Sequence, residues 1–179
     1  AAGIGSGLVG NVTVNISGNA TVNAEGGANG AGIGGGYASA GDVTIEGGTT
    51  VSAAGGVGGG AGVGGGADLA GDEDTRNRVT IRSNGDGSPD VSAVGGAPEP
   101  GQDGEDASKG GAAIGSIGGV DCKSITINGN AIKSLSSKDG ACIGAATGGS
   151  VGSITISDAE LPLLSSEKVL IGWDADSPG

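Results

Sequence analysis

Histidine, phenylalanine and methionine are absent from this 179-residue chain, and Tyr37 and Trp173 are its only aromatic residues. Without histidine the commonest general base is missing. Ser-His-Asp and Cys-His arrangements go with it, as do most zinc sites. The many serines have no evident activator. Without large aromatics a conventional globular core is hard to fill, whereas a thin repetitive core can be built from Val, Ile and Ala. No apolar run approaches the ~18 residues of a membrane helix. Only five prolines occur, and there is no Gly-X-Y triplet, which excludes a collagen-like chain. Eight Lys and Arg against twenty Asp and Glu give a net charge of −12. Phosphates would be repelled by that surface, so nucleic acid is a poor partner. The charge suits solubility outside the cell and cation binding. No signal peptide is evident, and the start Ala1-Ala2-Gly3 fits a processed or excised segment.

What is abundant is glycine, 44 residues, and a short apolar-Thr-apolar motif. The motif occurs as Val12-Thr13-Val14, Val43-Thr44-Ile45, Val79-Thr80-Ile81, Ile125-Thr126-Ile127 and Ile154-Thr155-Ile156. In an extended strand each copy sends two apolar side chains inward and one Thr outward. A second motif, Ile or Val before Gly, stands at Ile4, Ile33, Val63, Ile114, Ile143 and Ile171, with spacings of 29, 30, 51, 29 and 28 residues. A third set of pairs follows: Val22/Ala24, Val51/Ala53, Val91/Ala93, Ile132/Ser134 and Leu161/Leu163.

Each unit therefore holds three short β-branched segments separated by Gly-rich corners. Stacking units in register predicts an all-β, single-stranded parallel β-helix of triangular section. It has about 29 residues per coil, five coils and the start of a sixth. Coils of this length exceed the hexapeptide left-handed form, so a right-handed sense is expected. The coils run approximately 1–30, 31–60, 61–111, 112–140 and 141–168, and 169–179 form an incomplete coil or cap. At ~4.8 Å per coil the stack is roughly 25 Å long. A disordered low-complexity chain does not account for β-branched residues at fixed positions. An antiparallel sandwich gives no reason for the period.

Flanking charges test the register. In-register stacking places Asp42 beside Arg78 and Glu46 beside Arg82, all pointing outward. It also makes Thr13, Thr44, Thr80, Thr126 and Thr155 an exposed ladder. That ladder reads as β-propensity and solubility rather than an ice-binding face, because its flanks vary from coil to coil. At the fading end of the stack, Leu164 and Trp173 are expected to cover the apolar bore.

Several groups could carry chemistry. The third coil is 51 residues long, with acidic insertions at its corners; ten of the twenty acids lie between Asp68 and Asp106. Insertions leave a solenoid as surface loops, often on a binding face. Asp72, Asp74, Asp86, Asp103 and Asp106 are candidate calcium ligands, since Ca²⁺ takes six to eight oxygens from flexible loops. A merely solvated acidic loop is the simpler alternative. Cys122 and Cys142, 20 residues apart, do not stack directly but could meet across a corner. A bridge would imply an oxidising compartment, and two small buried thiols are the alternative. Asn11, Asn15 and Asn19 head Asn-X-Ser/Thr sequences and are glycan acceptors if the protein is eukaryotic and secreted. Gly32-Ile33-Gly34-Gly35-Gly36 is not a phosphate loop, because no helical pattern follows it and the motif recurs at every coil start.

The run Ala31 to Gly36, followed by Gly41 to Gly48, resembles glycine-rich repeats in large microbial cell-surface proteins. These are adhesin- or stalk-like modules, often labelled carbohydrate-binding. The resemblance covers nearly the whole chain and implies a fold and an extracellular, cell-surface place. It supplies no catalytic residues. The expected role is non-enzymatic: a rigid structural or adhesive module, with no required cofactor and no membrane insertion. Its partners would be flanking domains of a larger surface protein or further copies stacked head to tail, because strand edges at the ends of the stack are templates for another chain. The alternative is a calcium-assisted carbohydrate-binding module using the coil-three insertions, with glycans as partners. A polysaccharide-cleaving β-helix would need basic residues beside acids, and Arg78 and Arg82 near Asp42 and Glu46 are the one such group.

Overall fold

The computed structural model describes residues 1–8, 10–66, 77–99, 110–117, 120–129, 131–138, 140–146, 148–159, 164–166 and 170–173, the last by its backbone only. Among them every strand lies in one of three sheets, and every pairing between strands is parallel.

The first sheet stacks β1 (Ile4–Gly5), β4 (Ile33–Gly34), β7 (Val63–Gly64), β10 (Ile114–Ser116), β13 (Ile143–Ala145) and β16 (Ile171–Trp173). The second stacks β2 (Val12–Ile16), β5 (Gly41–Glu46), β8 (Asn77–Arg82), β11 (Cys122–Asn128) and β14 (Ile154–Ser157). The third stacks β3 (Thr21–Glu25), β6 (Thr50–Ala54), β9 (Asp90–Val94), β12 (Ile132–Ser137) and β15 (Leu164–Ser166). The chain visits the sheets in turn, so each element pairs with its equivalent one coil later. This is the parallel β-solenoid that the repeat predicts.

Alternation along each strand builds the bore. In β5 and β8 buried positions alternate strictly with half-exposed or exposed ones. Ile16, Ile45, Ile81 and Ile127 form one buried inward column, and Val14, Val43, Val79 and Ile125 form the next. The first sheet adds Ile33, Val63, Ile114 and Ile143, all fully buried. One contiguous core results, made of Val, Ile, Ala, Leu and Cys. Such a core needs no large aromatic because no interior point lies far from a backbone.

The glycine after each Ile or Val of the first sheet is a steric necessity. Gly34 sits at φ 127°, and a Cβ there would fall on the carbonyl oxygen of Gly64 in the next coil. Gly5, Gly64, Gly115 and Gly144 repeat both features. The carbonyl of one coil thus occupies the space that a side chain of the preceding coil would need.

Register departs from the sequence alignment in two places. In coil one, Val14-Asn15-Ile16, not Val12-Thr13-Val14, lies against Val43-Thr44-Ile45. Thr13 therefore faces Asp42, and Asn15 takes the ladder position expected for Thr13. The step from coil one to coil two is then 29 residues in all three sheets: Ile4 to Ile33, Val14 to Val43 and Val22 to Val51. In coil four the chain bulges once in each of two strands, between Cys122 and Ser124 and between Ile132 and Ser134. The extra residue is a lysine each time, Lys123 and Lys133. Leu135, rather than Ser134, consequently fills the bore against Ala93. Leu164 continues that column and packs half-buried on the core, as expected of an end residue. Leu161, Leu163 and the Trp173 side chain lie outside the described residues.

Candidate functional site

The outward face of the second sheet carries three rows. The middle row is Asn15, Thr44, Thr80, Thr126 and Thr155. One flank runs Thr13, Asp42, Arg78, Ser124, and the other runs Glu46, Arg82, Asn128, Ser157. Strand pairing therefore puts Asp42 directly beside Arg78 and Glu46 beside Arg82, as the sequence predicts. Arg78 Nη1 donates to both Asp42 carboxylate oxygens at 3.2 and 2.9 Å, and Arg82 Nε donates to Glu46 Oε2 at 2.8 Å. Farther along, Asn128 Nδ2 donates to Ser157 Oγ at 2.9 Å. Both acids are thus neutralised by an arginine in the next coil, which reads as register pinning rather than as an acid–base pair.

These pairs are partly solvated, with side-chain exposures of 36% and 42% for Arg78 and Asp42. A double-mutant cycle on Asp42→Asn and Arg78→Gln should return a coupling of about 0.2–1 kcal/mol at low salt, shrinking as salt rises. A coupling unaffected by salt would contradict an exposed ion pair.

Behind this face lies a buried polar column. Asn77 opens β8 on the inward side, where coil two has Gly41 and coil four has Cys122. Its Oδ1 accepts the Gly41 N–H at 2.9 Å, satisfying a backbone donor inside the stack. Its Nδ2 has no hydrogen-bond partner. The Cys122 thiol lies over it and donates to the Asn77 carbonyl at 3.2 Å.

Cys122 and Cys142 are both free and both buried, the second of the two arrangements that the sequence left open. The reason is geometric. Cys122 faces inward from the second sheet, while Cys142 precedes β13 in the first and donates to the Ser165 carbonyl at 3.2 Å. Burial pushes the Cys122 thiol up to about 12, and burial also raises Cys142. A raised acid pKa in the fold means that the unfolded chain releases its proton first. Stability should therefore fall as pH climbs above about 9, the ordinary thiol value, towards about 12. Denaturation midpoints between pH 8 and 10 should fall less in Cys122→Ala than in the parent; equal slopes would contradict this. Neither thiol should react with a disulfide reagent until the protein is unfolded.

The predicted calcium ligands are not brought together in what can be described. Asp72, Asp74, Asp103 and Asp106 lie outside the described residues. Asp86 is exposed in a tight turn at a coil-three corner. In that turn Asn84 and Gly87 exchange backbone hydrogen bonds at 2.9 and 3.0 Å, and the Asp86 N–H donates to Asn84 Oδ1 at 2.8 Å. Among the described residues no group of three or more His, Cys, Asp or Glu side chains forms a metal-binding cluster. Asn11, Asn15 and Asn19 are all exposed on coil one, beside or within the edge strand β2.

Sequence reasoning missed the outer face of the third sheet. A shallow groove of about 480 Å³ runs along its border, between exposed Val57 and Val94 and the polar Ser136, Lys138 and Ser165. Asn23, Ser52, Ser92 and Ser134 form a small, polar outward row on the same sheet, apart from the groove lining. No protein-family model matches this chain, and neither a curated protein nor a solved structure matches it.

Proposed function

We propose that this protein is a non-enzymatic, extracellular structural or adhesive module whose working part is the rigid stack itself. The observation that carries the reading is the parallel pairing of three sheets, coil upon coil, which among the described residues is interrupted in register by only the two single-residue bulges of coil four. Bending such a rod would break ladder hydrogen bonds in at least one sheet. The polar outward rows and the net charge of −12 suit permanent exposure to solvent. The resemblance of its Gly-rich motifs to microbial surface repeats supports the same place.

The ends of the stack support continuation by further strands. The six strands at the sheet edges carry one charge between them, Glu25. The inner strands of the second and third sheets carry Asp42, Glu46, Arg78, Arg82, Asp90, Lys123 and Lys133. Charges on an edge strand are the usual guard against pairing, and here the edge strands carry only Glu25.

Antibody labelling of intact cells of the source tests the location, with strong labelling expected before permeabilisation. Labelling that appears only afterwards would sink the reading. Calcium-dependent retention on a glycan array would instead make the protein a carbohydrate-binding module.

A further inference from the structure

Among the described residues three Asn-Gly dipeptides occur, Asn29-Gly30, Asn84-Gly85 and Asn128-Gly129, and the fold treats them differently. Asn-Gly is the sequence most prone to intramolecular cyclisation, because glycine has no side chain to hinder attack by its own backbone nitrogen. Whether attack occurs depends on that nitrogen being unengaged and on the asparagine side chain being able to reach it.

At two of the three pairs the nitrogen is engaged. The Gly30 N–H donates to the Gly27 carbonyl at 2.8 Å, and Asn29 is held at φ 59° in a corner. The Gly129 N–H donates to the Ser157 carbonyl at 3.0 Å. Asn128 is fixed as well, within β11, with its Nδ2 bonded to Ser157 Oγ.

Asn84-Gly85 is the exception. Both residues are exposed, and the backbone hydrogen bonds of the turn use the nitrogens of Asn84 and Gly87, not that of Gly85. A Cβ built on Gly85 meets nothing within 4 Å, so the approach is open. The hydrogen bond from the Asp86 N–H to Asn84 Oδ1 closes a ring around the Gly85 peptide. It holds the Asn84 side chain folded onto the turn and polarises its carbonyl.

We propose that Asn84 is a self-modification site of the folded protein, at which it converts selectively to aspartate and isoaspartate. The Gly85 nitrogen, losing its proton to solvent base, attacks Asn84 Cγ. The Cγ–Nδ2 bond breaks and ammonia leaves, giving a five-membered succinimide. Water then opens the ring at either carbonyl, restoring the chain as aspartate or placing an extra methylene in it as isoaspartate. No oxidant, reductant or cofactor is involved. The neighbouring Asp86-Gly87 pair is protected from the equivalent ring closure, because the Gly87 N–H is donated to the Asn84 carbonyl.

Both products alter the same surface. Each adds a negative charge at the tip of an insertion in the longest coil. Isoaspartate also lengthens the backbone between two residues that exchange hydrogen bonds, so that the Asn84–Gly87 pair cannot close. This turn abuts the coil-two corner, where the position of a Cβ on Gly87 lies 3.3 Å from the Gly48 Cα. An ageing rod thus gains charge and loses order at one defined corner while its bore is untouched.

Incubation of the purified protein in mildly alkaline buffer, followed by peptide mapping, tests this. The expected result is a mass gain of amide-to-acid conversion at Asn84 at least about tenfold ahead of Asn29 and Asn128, because those sites must first open locally. In denaturant all three should convert at similar rates. Gly85→Ala should fold normally and slow the conversion, since the added methyl hinders ring closure. Conversion at Asn29 or Asn128 as fast as at Asn84 in the folded protein would overturn the proposal, as would an unchanged Asn84 in the folded protein that converts in denaturant.

Discussion

Gly34→Ala, representative of its glycine column, is expected to lower stability by ~3 kcal/mol or more. Two costs add. Gly34 sits at φ 127°, where an L residue is strained by roughly 1–3 kcal/mol. Its new Cβ would also overlap the Gly64 carbonyl oxygen and approach Val43 Cγ2 to 3.2 Å. Those neighbours cannot yield independently. The Gly64 carbonyl belongs to the next coil, and it also accepts the Gly35 N–H at 2.8 Å. Relief requires the two coils to part, which breaks pairing in the first sheet and lifts Val43 from the bore. Gly85→Ala is the matched control: its methyl meets nothing, so a change within about 0.5 kcal/mol is expected. Urea unfolding of both variants decides the matter. Equal stabilities would mean that the glycine column reflects composition and not sterics.

Ile81→Ala carries the next largest expected effect. Ile81 is fully buried at the middle of five coils, between Ile45 and Ile127. Truncation removes apolar area and leaves a cavity whose walls are held in register by ladders on both sides. That rigidity prevents collapse into the void, so a loss of about 2–5 kcal/mol is expected. Ile156→Ala, the same column in the last coil, should cost clearly less, because Ile156 is only half-buried and, among the described residues, has a strand neighbour in its column on one side, Ile127. A urea midpoint that drops equally for both variants would contradict a bore whose packing is tightest at its centre.

Both expectations rest on features legible in the sequence. The Ile-Gly recurrence marks the column in which Gly34 stands, and the Val-Thr-Ile recurrence marks Ile81 as inward. The charged neighbours of Val43-Thr44-Ile45 and Val79-Thr80-Ile81 were also legible. Asp42 and Arg78, and Glu46 and Arg82, hold matching offsets from the motif, and stacking in register leaves them no other neighbours in the adjoining coil. A parallel solenoid is unusual in this respect: its tertiary contacts are the repeat itself, so a period read along the chain is also a contact map.

The candidate site was less legible. The acids proposed as calcium ligands were grouped by proximity along the insertions, and insertions have no repeat to place them. Asp86, the one that can be described, lies in a turn that already uses the Asn84 side chain for its own closure.

The sequence by itself determined the coil length, the three-sheet plan, which residues of the Ile-Gly and Val-Thr-Ile motifs face the bore, and the ion pairs of coils two and three. Each follows from alternation of period two repeated at a fixed interval. The tertiary structure alone decided three further things. It moved coil one by two residues, setting Asn15 rather than Thr13 beside Thr44. A two-residue shift leaves the inward and outward sets unchanged, so alternation cannot detect it; strand pairing fixes it, at the 29-residue step that the other two sheets share. It placed bulges at Lys123 and Lys133, which turn Cys122 and Leu135 inward. A bulge is a local change of period, invisible to a rule that assumes the period. And it left the Gly85 nitrogen unengaged while tying down those of Gly30 and Gly129. All three belong to identical dipeptides, and their hydrogen bonds distinguish them: Gly30 donates within its own corner and Gly129 to the next coil.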